Sequence, residues 1–194
     1  MLAGEVAIIS VAPARLQSLL AALPRGAKAR VLERAPTDLG EPQLLSSAGA
    51  DRLAVALALR PGPAVAVDAG TAVTVEVVDA AGRYVGGFIA PGPASAAAGL
   101  SLAAPRLPRA GGTPAPLKPG AGTDAALSAG VWGLAVGGVD RLVEAALEAL
   151  GGGSIRVVAT GGWGESWSRD TRLRGVELDP VLVHRGIERW ARSA

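Results

Sequence analysis

The sequence has no cysteine and a single histidine. The first absence excludes disulfides, thiolate metal sites and cysteine nucleophiles. The second excludes histidine-based triads and multi-histidine metal centres. No run of eighteen uninterrupted apolar residues occurs, so a membrane span is not expected. The apolar stretch Val6 to Ala12 follows Glu5 and has no basic segment before it, so a signal peptide is not expected either. Charged residues are 19%, somewhat below average, so a disordered acidic or basic tail is not expected. The net charge of +2 leaves no basic stripe for nucleic acid. What remains is chemistry run by Asp, Glu, Thr, Arg and backbone amides.

What is present is a chain of 194 residues, 49% apolar, enough for a core in one domain or two small lobes. Glycine (27) and proline (14) are frequent, so turns should be many and elements short. Glu5 to Val11 reads as a strand. Leu16, Leu19, Leu20 and Leu23 form a helical stripe after Pro13. Ala29 to Leu32 is a short second strand, residues 35–47 are polar and turn-rich, and Ala50 to Leu59 is helical. A meander follows: Ala64 to Val67, a strand through Val73, Val75 and Val77, then Tyr84 to Ile89. Residues 94–104 read as helix, 105–122 as loop, and Leu127 to Leu150 as the longest helix. Ser154 to Ala159 is a strand. Asp179-Pro180 should cap and start a last helix with Val183, Ile187 and Trp190 on one side. Mixed elements in both halves predict an α/β layered architecture.

Four segments could carry chemistry. In Asp68-Ala-Gly-Thr-Ala-Val-Thr74 a strand ends in an acid and turns on Gly70. Glycine lets amides approach an anion, Thr71 and Thr74 add hydroxyl donors, and Asp68 can hold a cation that offsets phosphate charge. An ordinary β-turn is the plainer reading. In Gly49-Ala50-Asp51-Arg52 an acid opens a helix. It reads as a cap or dipole partner, or as a carboxylate base beside an arginine that orients an anionic substrate. Gly86-Gly87 within a strand marks a bulge or a close approach of backbone or ligand. Thr160-Gly161-Gly162 is a nucleotide-contacting loop or a plain strand turn. His184 is read as structural. The four tryptophans are read as core or interface; Trp163 and Trp167 flank a loop and could line a pocket, the less favoured reading.

Taken together, Gly49-Ala-Asp-Arg52, Asp68-Ala-Gly-Thr-Ala-Val-Thr74, Gly86-Gly-Phe-Ile-Ala-Pro-Gly92, Leu107-Pro108, Gly120-Ala-Gly-Thr123 and Thr160-Gly-Gly162 occur in one order. That order resembles the type III pantothenate kinase family, with its Bvg accessory factor relatives, from about Val6 onward. The resemblance implies a ribonuclease-H-like fold of the acetate kinase/sugar kinase/Hsp70/actin type. It divides the chain into a truncated first lobe, 1–62, and a nearly complete second lobe, 63–194. It also implies transfer of the ATP γ-phosphoryl group to pantothenate, the first step towards coenzyme A, by a cytoplasmic homodimer using Mg2+ and a monovalent cation (K+ or NH4+). By similarity Asp51 is the base. Gly49, Ala50, Arg52 and Thr123 contact pantothenate, Asp68 holds the monovalent cation, and Thr71 contacts ATP phosphate. Gly70, Thr74, Gly161 and Gly162 are expected to complete the nucleotide site.

The chain also departs from that pattern. Family members begin with an Asp-x-Gly-Asn-Thr-like loop, and nothing of that kind precedes Val6, so the first phosphate loop is expected to be absent. Glu76 stands where the family has Asp, Ala104 where it has Thr, and Gly122 where Asn often precedes the threonine. The linker between Asp51 and Asp68 looks short. Two other readings stay open: a non-catalytic binding or regulatory relative, and an unrelated α/β domain with chance motifs.

Overall fold

The structure, a computed structural model, describes residues 4–193. Contacts divide the described chain into two units. One holds residues 4–63, 78–86 and 181–193, the other Ala64–Val77 and Gly87–Pro180.

The first unit opens with β1 (Glu5–Ile8), α1 (Pro13–Ala22) and β2 (Lys28–Val31). β1 and β2 pair in parallel, Glu5 opposite Lys28 and Ile8 opposite Val31. Parallel neighbours need a crossover, and α1 supplies it. Its leucine stripe is only half used, since Leu19 is 47% exposed. Residues 35–47 hold more structure than their polar composition predicts. They contain a 3-10 turn (Thr37–Leu39) and α2 (Pro42–Ser47). Pro42 sits in the first turn, where its fixed φ suits a helix. The hydroxyls of Ser46 and Ser47 donate to the Gln43 and Leu44 carbonyls at 2.9 and 3.0 Å.

α3 (Ala50–Leu59) lies where the periodicity predicts it, and every residue from Leu53 to Leu59 is buried. α7 (Leu182–Ser193) covers it with Leu182, Gly186 and Trp190. A Cβ on Gly186 would lie 1.8 Å from the Ala54 carbonyl oxygen, so the two helices meet backbone to backbone. The Arg189 guanidinium donates to the Leu57 and Ala58 carbonyls at 2.9 and 3.2 Å, satisfying the open end of α3. The Trp190 indole donates to the Arg34 carbonyl at 2.8 Å. α7 starts at Leu182, two residues after the expected Pro180, with Arg185 N–H bonded to the Val181 carbonyl. His184 is exposed on it.

The second unit holds a five-stranded sheet, apart from Val78 and residues 84–86, made of β3 (Ala64–Ala69), β4 (Ala72–Val78), β5 (Tyr84–Pro91), β6 (Arg156–Thr160) and β7 (Val176–Leu178). The sheet order is β5-β4-β3-β6-β7. β3 pairs in parallel with β6, and β6 with β7. The connections β3–β4 and β4–β5 are too short for a crossover, so those pairs are antiparallel. A meander extended on its first strand by parallel strands is the ribonuclease-H-like arrangement, as expected. α4 (Pro93–Ala103), α5 (Thr123–Ala149) and α6 (Gly164–Asp170) complete the unit.

Val65, Val67, Val73, Val75 and Val77 pack with Trp132, Val136, Val139 and Val143 of α5 to form the core. α5 is long and apolar enough to cross a membrane by length and composition, but this face of it lies on the sheet. Asp140, also on α5, is buried yet fully engaged. Its carboxylate accepts from the Trp167 indole (2.9 Å), the Thr171 hydroxyl (2.6 Å) and the Arg172 amide (3.1 Å). α6 is not evident from the sequence because only Gly164 and Trp167 of its seven residues are buried, which leaves no periodic stripe.

The β4–β5 turn gives a pH prediction. Partial burial pushes the Asp79 carboxyl up, but hydrogen bonds from the Arg83 amide and guanidinium, the Arg83 charge and the Ala81 amide outweigh it. The pKa lies below the ordinary 3.8. A depressed carboxylate stabilises the fold above its unfolded pKa and loses that contribution as pH falls through the folded value. Protection of the Ala81 and Arg83 amides against hydrogen exchange should therefore be constant above about pH 5 and fall below about pH 4. In Asp79→Asn the same amides should show no such step.

Candidate functional site

The strongest convergence lies at the carboxyl ends of β3 and β6. Asp68 stands opposite Thr160 in the parallel register. Beyond them the chain leaves in opposite senses, β3 towards β4 and β6 towards β7. This is a topological switch point, where open α/β sheets bind ligands in the crevice past the strand ends.

The Gly-Thr turn is held tightly. The Gly70 amide donates to the Ala72 carbonyl at 3.1 Å. The Thr71 carbonyl accepts from the Gly92 amide at 2.9 Å and from the Ser95 hydroxyl at 2.7 Å. A Cβ on Gly92 would lie 2.2 Å from the Gly70 carbonyl oxygen, so the start of α4 can approach the turn only with glycine there. Thr71 itself is exposed, and Thr74 lies further along β4, half-buried.

The second loop packs against the same strand tip. Gly161 has φ +86°, and a Cβ on it would meet the Asp68 carboxylate at 2.5 Å and the Ala69 nitrogen at 2.6 Å. Glycine is required there for both reasons. Gly162 is exposed with open space around it. Trp163 then folds back: its amide donates to the Ala69 carbonyl at 3.1 Å and its indole to the Gly70 carbonyl at 3.0 Å. Asp68, Gly70, Thr71, Gly161 and Gly162 are thus gathered in one place. Trp163 belongs with them, whereas the sequence favours core or interface for it over lining a pocket. The one available signal is its position directly after the glycine pair.

Gly49, Ala50, Asp51 and Arg52 belong to the first unit, all half-buried. Gly49, not Asp51, is the cap residue of α3, and it makes no side-chain cap bond. Asp51 lies in the first turn, where the helix dipole favours a negative charge. Its carboxylate accepts from the Arg52 amide at 2.9 Å. A Cβ on Gly49 would sit 2.6 Å from the same oxygen, so that glycine makes room for the acid.

Thr123, in the second unit, opens α5 and is exposed. It borders an apolar hollow of about 430 Å³ between α4 and α5, with Ala96, Leu100, Leu127 and Leu134. Of the paired strand glycines, Gly87 marks a close backbone approach. A Cβ on it would lie 1.9 Å from the Val75 carbonyl oxygen. Glu76, on the adjoining strand, is buried.

A family model for type III pantothenate kinases matches residues 2–145. The type III pantothenate kinase of Acidiphilium cryptum is 40% identical over 142 residues, 72% of this chain and 53% of that protein. The Thermus thermophilus enzyme of the same name is 40% identical over 173 residues, 82% of this chain and 66% of that protein. The chain thus spans between about half and two thirds of the length of these relatives. A crystal structure of a Baf family protein from Campylobacter jejuni superposes with a TM-score of 0.67 at 26% identity, covering 97% of this chain and 82% of that one.

Proposed function

This chain belongs to the type III pantothenate kinase family, and on that premise we propose that it serves the ATP-dependent phosphorylation of pantothenate to 4'-phosphopantothenate, the first step of coenzyme A synthesis. The reading is carried by the convergence of Asp68, the Gly70-Thr71 turn and the Gly161-Gly162 loop at the β3/β6 switch point. In this reading the Gly70-Thr71 and Gly161-Gly162 backbones and the Thr71 and Thr74 hydroxyls bind the nucleotide. Gly49, Ala50, Arg52 and Thr123 bind pantothenate. Asp51 takes the proton as the pantothenate hydroxyl oxygen bonds to the γ-phosphorus and the bond to ADP breaks. Phosphoryl transfer asks mainly for alignment and charge compensation, which amides, hydroxyls and a cation supply.

The donor set suits the cations the family implies. Among the described residues no group of three or more His, Cys, Asp or Glu side chains gathers. A carboxylate-rich cage is therefore not built. Mg2+ on a nucleotide is held largely by phosphates and water, with one or two carboxylates at most. Asp68, the acid at the strand tip, fits such a partial shell, and equally an oxygen site for K+ or NH4+. Either cation, when bound, compensates phosphate charge. The same reading makes the protein cytoplasmic and a homodimer, without nucleic-acid or membrane partners.

The test is to incubate the chain with ATP, pantothenate, Mg2+ and K+ and to follow phosphopantothenate by mass spectrometry. Product that depends on all components is expected. Binding of both ligands without product would favour the non-catalytic binding or regulatory role. Failure to bind either ligand would remove the reading.

A further inference from the structure

Both carbonyls of the Gly70-Thr71 turn are tied down from outside it. The Gly70 oxygen accepts from the Trp163 indole at 3.0 Å. The Thr71 oxygen accepts from the Ser95 hydroxyl at 2.7 Å and the Gly92 amide at 2.9 Å. In a planar trans peptide the C=O and the following N–H point in opposite directions. Holding the Gly70 carbonyl towards Trp163 therefore turns the Thr71 N–H away from that indole. Ser95 and Gly92 hold the Thr71 carbonyl on the α4 side, which fixes the other end of the turn. Thr71 is exposed. A carbonyl swung to the outer side would repel a phosphate, whereas an N–H attracts it.

We infer that Trp163 and Ser95 are positioning residues, which aim the Thr71 amide at the nucleotide phosphates: Trp163 fixes the Gly70 carbonyl behind that amide, and Ser95 fixes the carbonyl that follows it. The inference rests on the nucleotide site proposed above. Neither residue touches a reacting atom in it. Trp163 is suited to the task because its own orientation is fixed. Its amide is bonded to Ala69, and its ring meets Trp132 edge-on at 5.6 Å and 68°. Ser95 acts from the first turn of α4.

Two variants separate aiming from plain support. Trp163→Phe keeps a ring against Trp132 and deletes the indole donor. Ser95→Ala deletes one hydroxyl on an exposed surface. Loss of one such hydrogen bond should weaken binding of a non-hydrolysable ATP analogue with Mg2+ about three- to tenfold by calorimetry. Pantothenate affinity should stay at the wild-type value in both variants. Exchange of the Gly70 amide, bonded to the Ala72 carbonyl at 3.1 Å, should quicken by a similar factor in the ligand-free protein. The inference is overturned, with the nucleotide site intact, if both variants bind the analogue as tightly as wild type. It is equally overturned if the two ligands weaken together, since that is the signature of general loosening. A wild-type chain that binds no analogue at all removes the site, and this inference with it.

Discussion

Asp51→Asn is expected to lower kcat by about 10²–10⁴-fold while the protein stays folded. Asparagine has the same shape as aspartate and keeps a side-chain oxygen, so it can still accept the Arg52 amide now held at 2.9 Å. The room that Gly49 leaves for the carboxylate serves the amide equally well. On the proposed reading, what is lost is the capacity to take a proton from the acceptor hydroxyl, together with one negative charge at the start of α3. The charge contributes about 0.3–1 kcal/mol to the helix, too little to unfold it. Turnover should therefore collapse while the melting temperature moves by a few degrees at most, and affinity for an ATP analogue should be unchanged. Full activity in the variant would strip Asp51 of its role as base. A parallel fall in activity and thermal stability would recast it as a residue of the fold.

The parts of this site written in local sequence are the parts legible without coordinates. Ala50–Leu59 declares itself as a helix by composition and by the prolines that follow. The Asp68-to-Thr74 segment declares a strand, turn and strand because glycine and the alternating valines can do little else. What is not legible depends on distance along the chain. Trp163 reaches the Gly70 carbonyl across 93 positions. Arg189 reaches the Leu57 carbonyl across 132. Neither contact leaves a period or spacing in the residues around it, because the partner atoms belong to the backbone and carry no residue identity. Asp140 is hidden by distance alone. It reads as a polar residue on a helix, and only the folded chain shows three donors from 27 to 32 positions away closing around it. The α1 stripe errs in the opposite direction, since its leucines are as periodic as those of a core helix yet Leu19 remains 47% exposed. Periodicity reports which face could be buried and says nothing of whether a partner covers it.

The largest stability effect is expected from a single methyl group at Gly186. Gly186→Ala places a Cβ 1.8 Å from the Ala54 carbonyl oxygen, 2.4 Å from its carbon and 3.0 Å from the Ala54 Cα. All three are backbone atoms of α3, so no side chain can rotate aside. α3 and α7 must separate, although Leu53 to Leu59 are buried and Arg189 is bonded to the carbonyls at the end of α3. Overpacking of this kind costs about 1–3 kcal/mol, and a chain of this size loses about 2–4 °C per kcal/mol. A fall of roughly 2–12 °C in melting temperature is expected on that scale. Gly138→Ala is the matched control. Gly138 lies inside α5, and a Cβ there meets nothing within 4 Å. The helix should gain about 0.5–1 kcal/mol and the melting temperature should rise slightly. Helix propensity alone predicts a gain at both positions, so opposite signs would isolate the helix contact as the cause. The loss at Gly186 should also reach the chemistry. Ala54 is one helical turn beyond Asp51, and a helix moves as a rigid element over that distance. Gly186→Ala assayed well below its melting temperature should therefore lose turnover with the protein still folded. A neutral melting temperature would mean that α7 does not rest on α3 in solution.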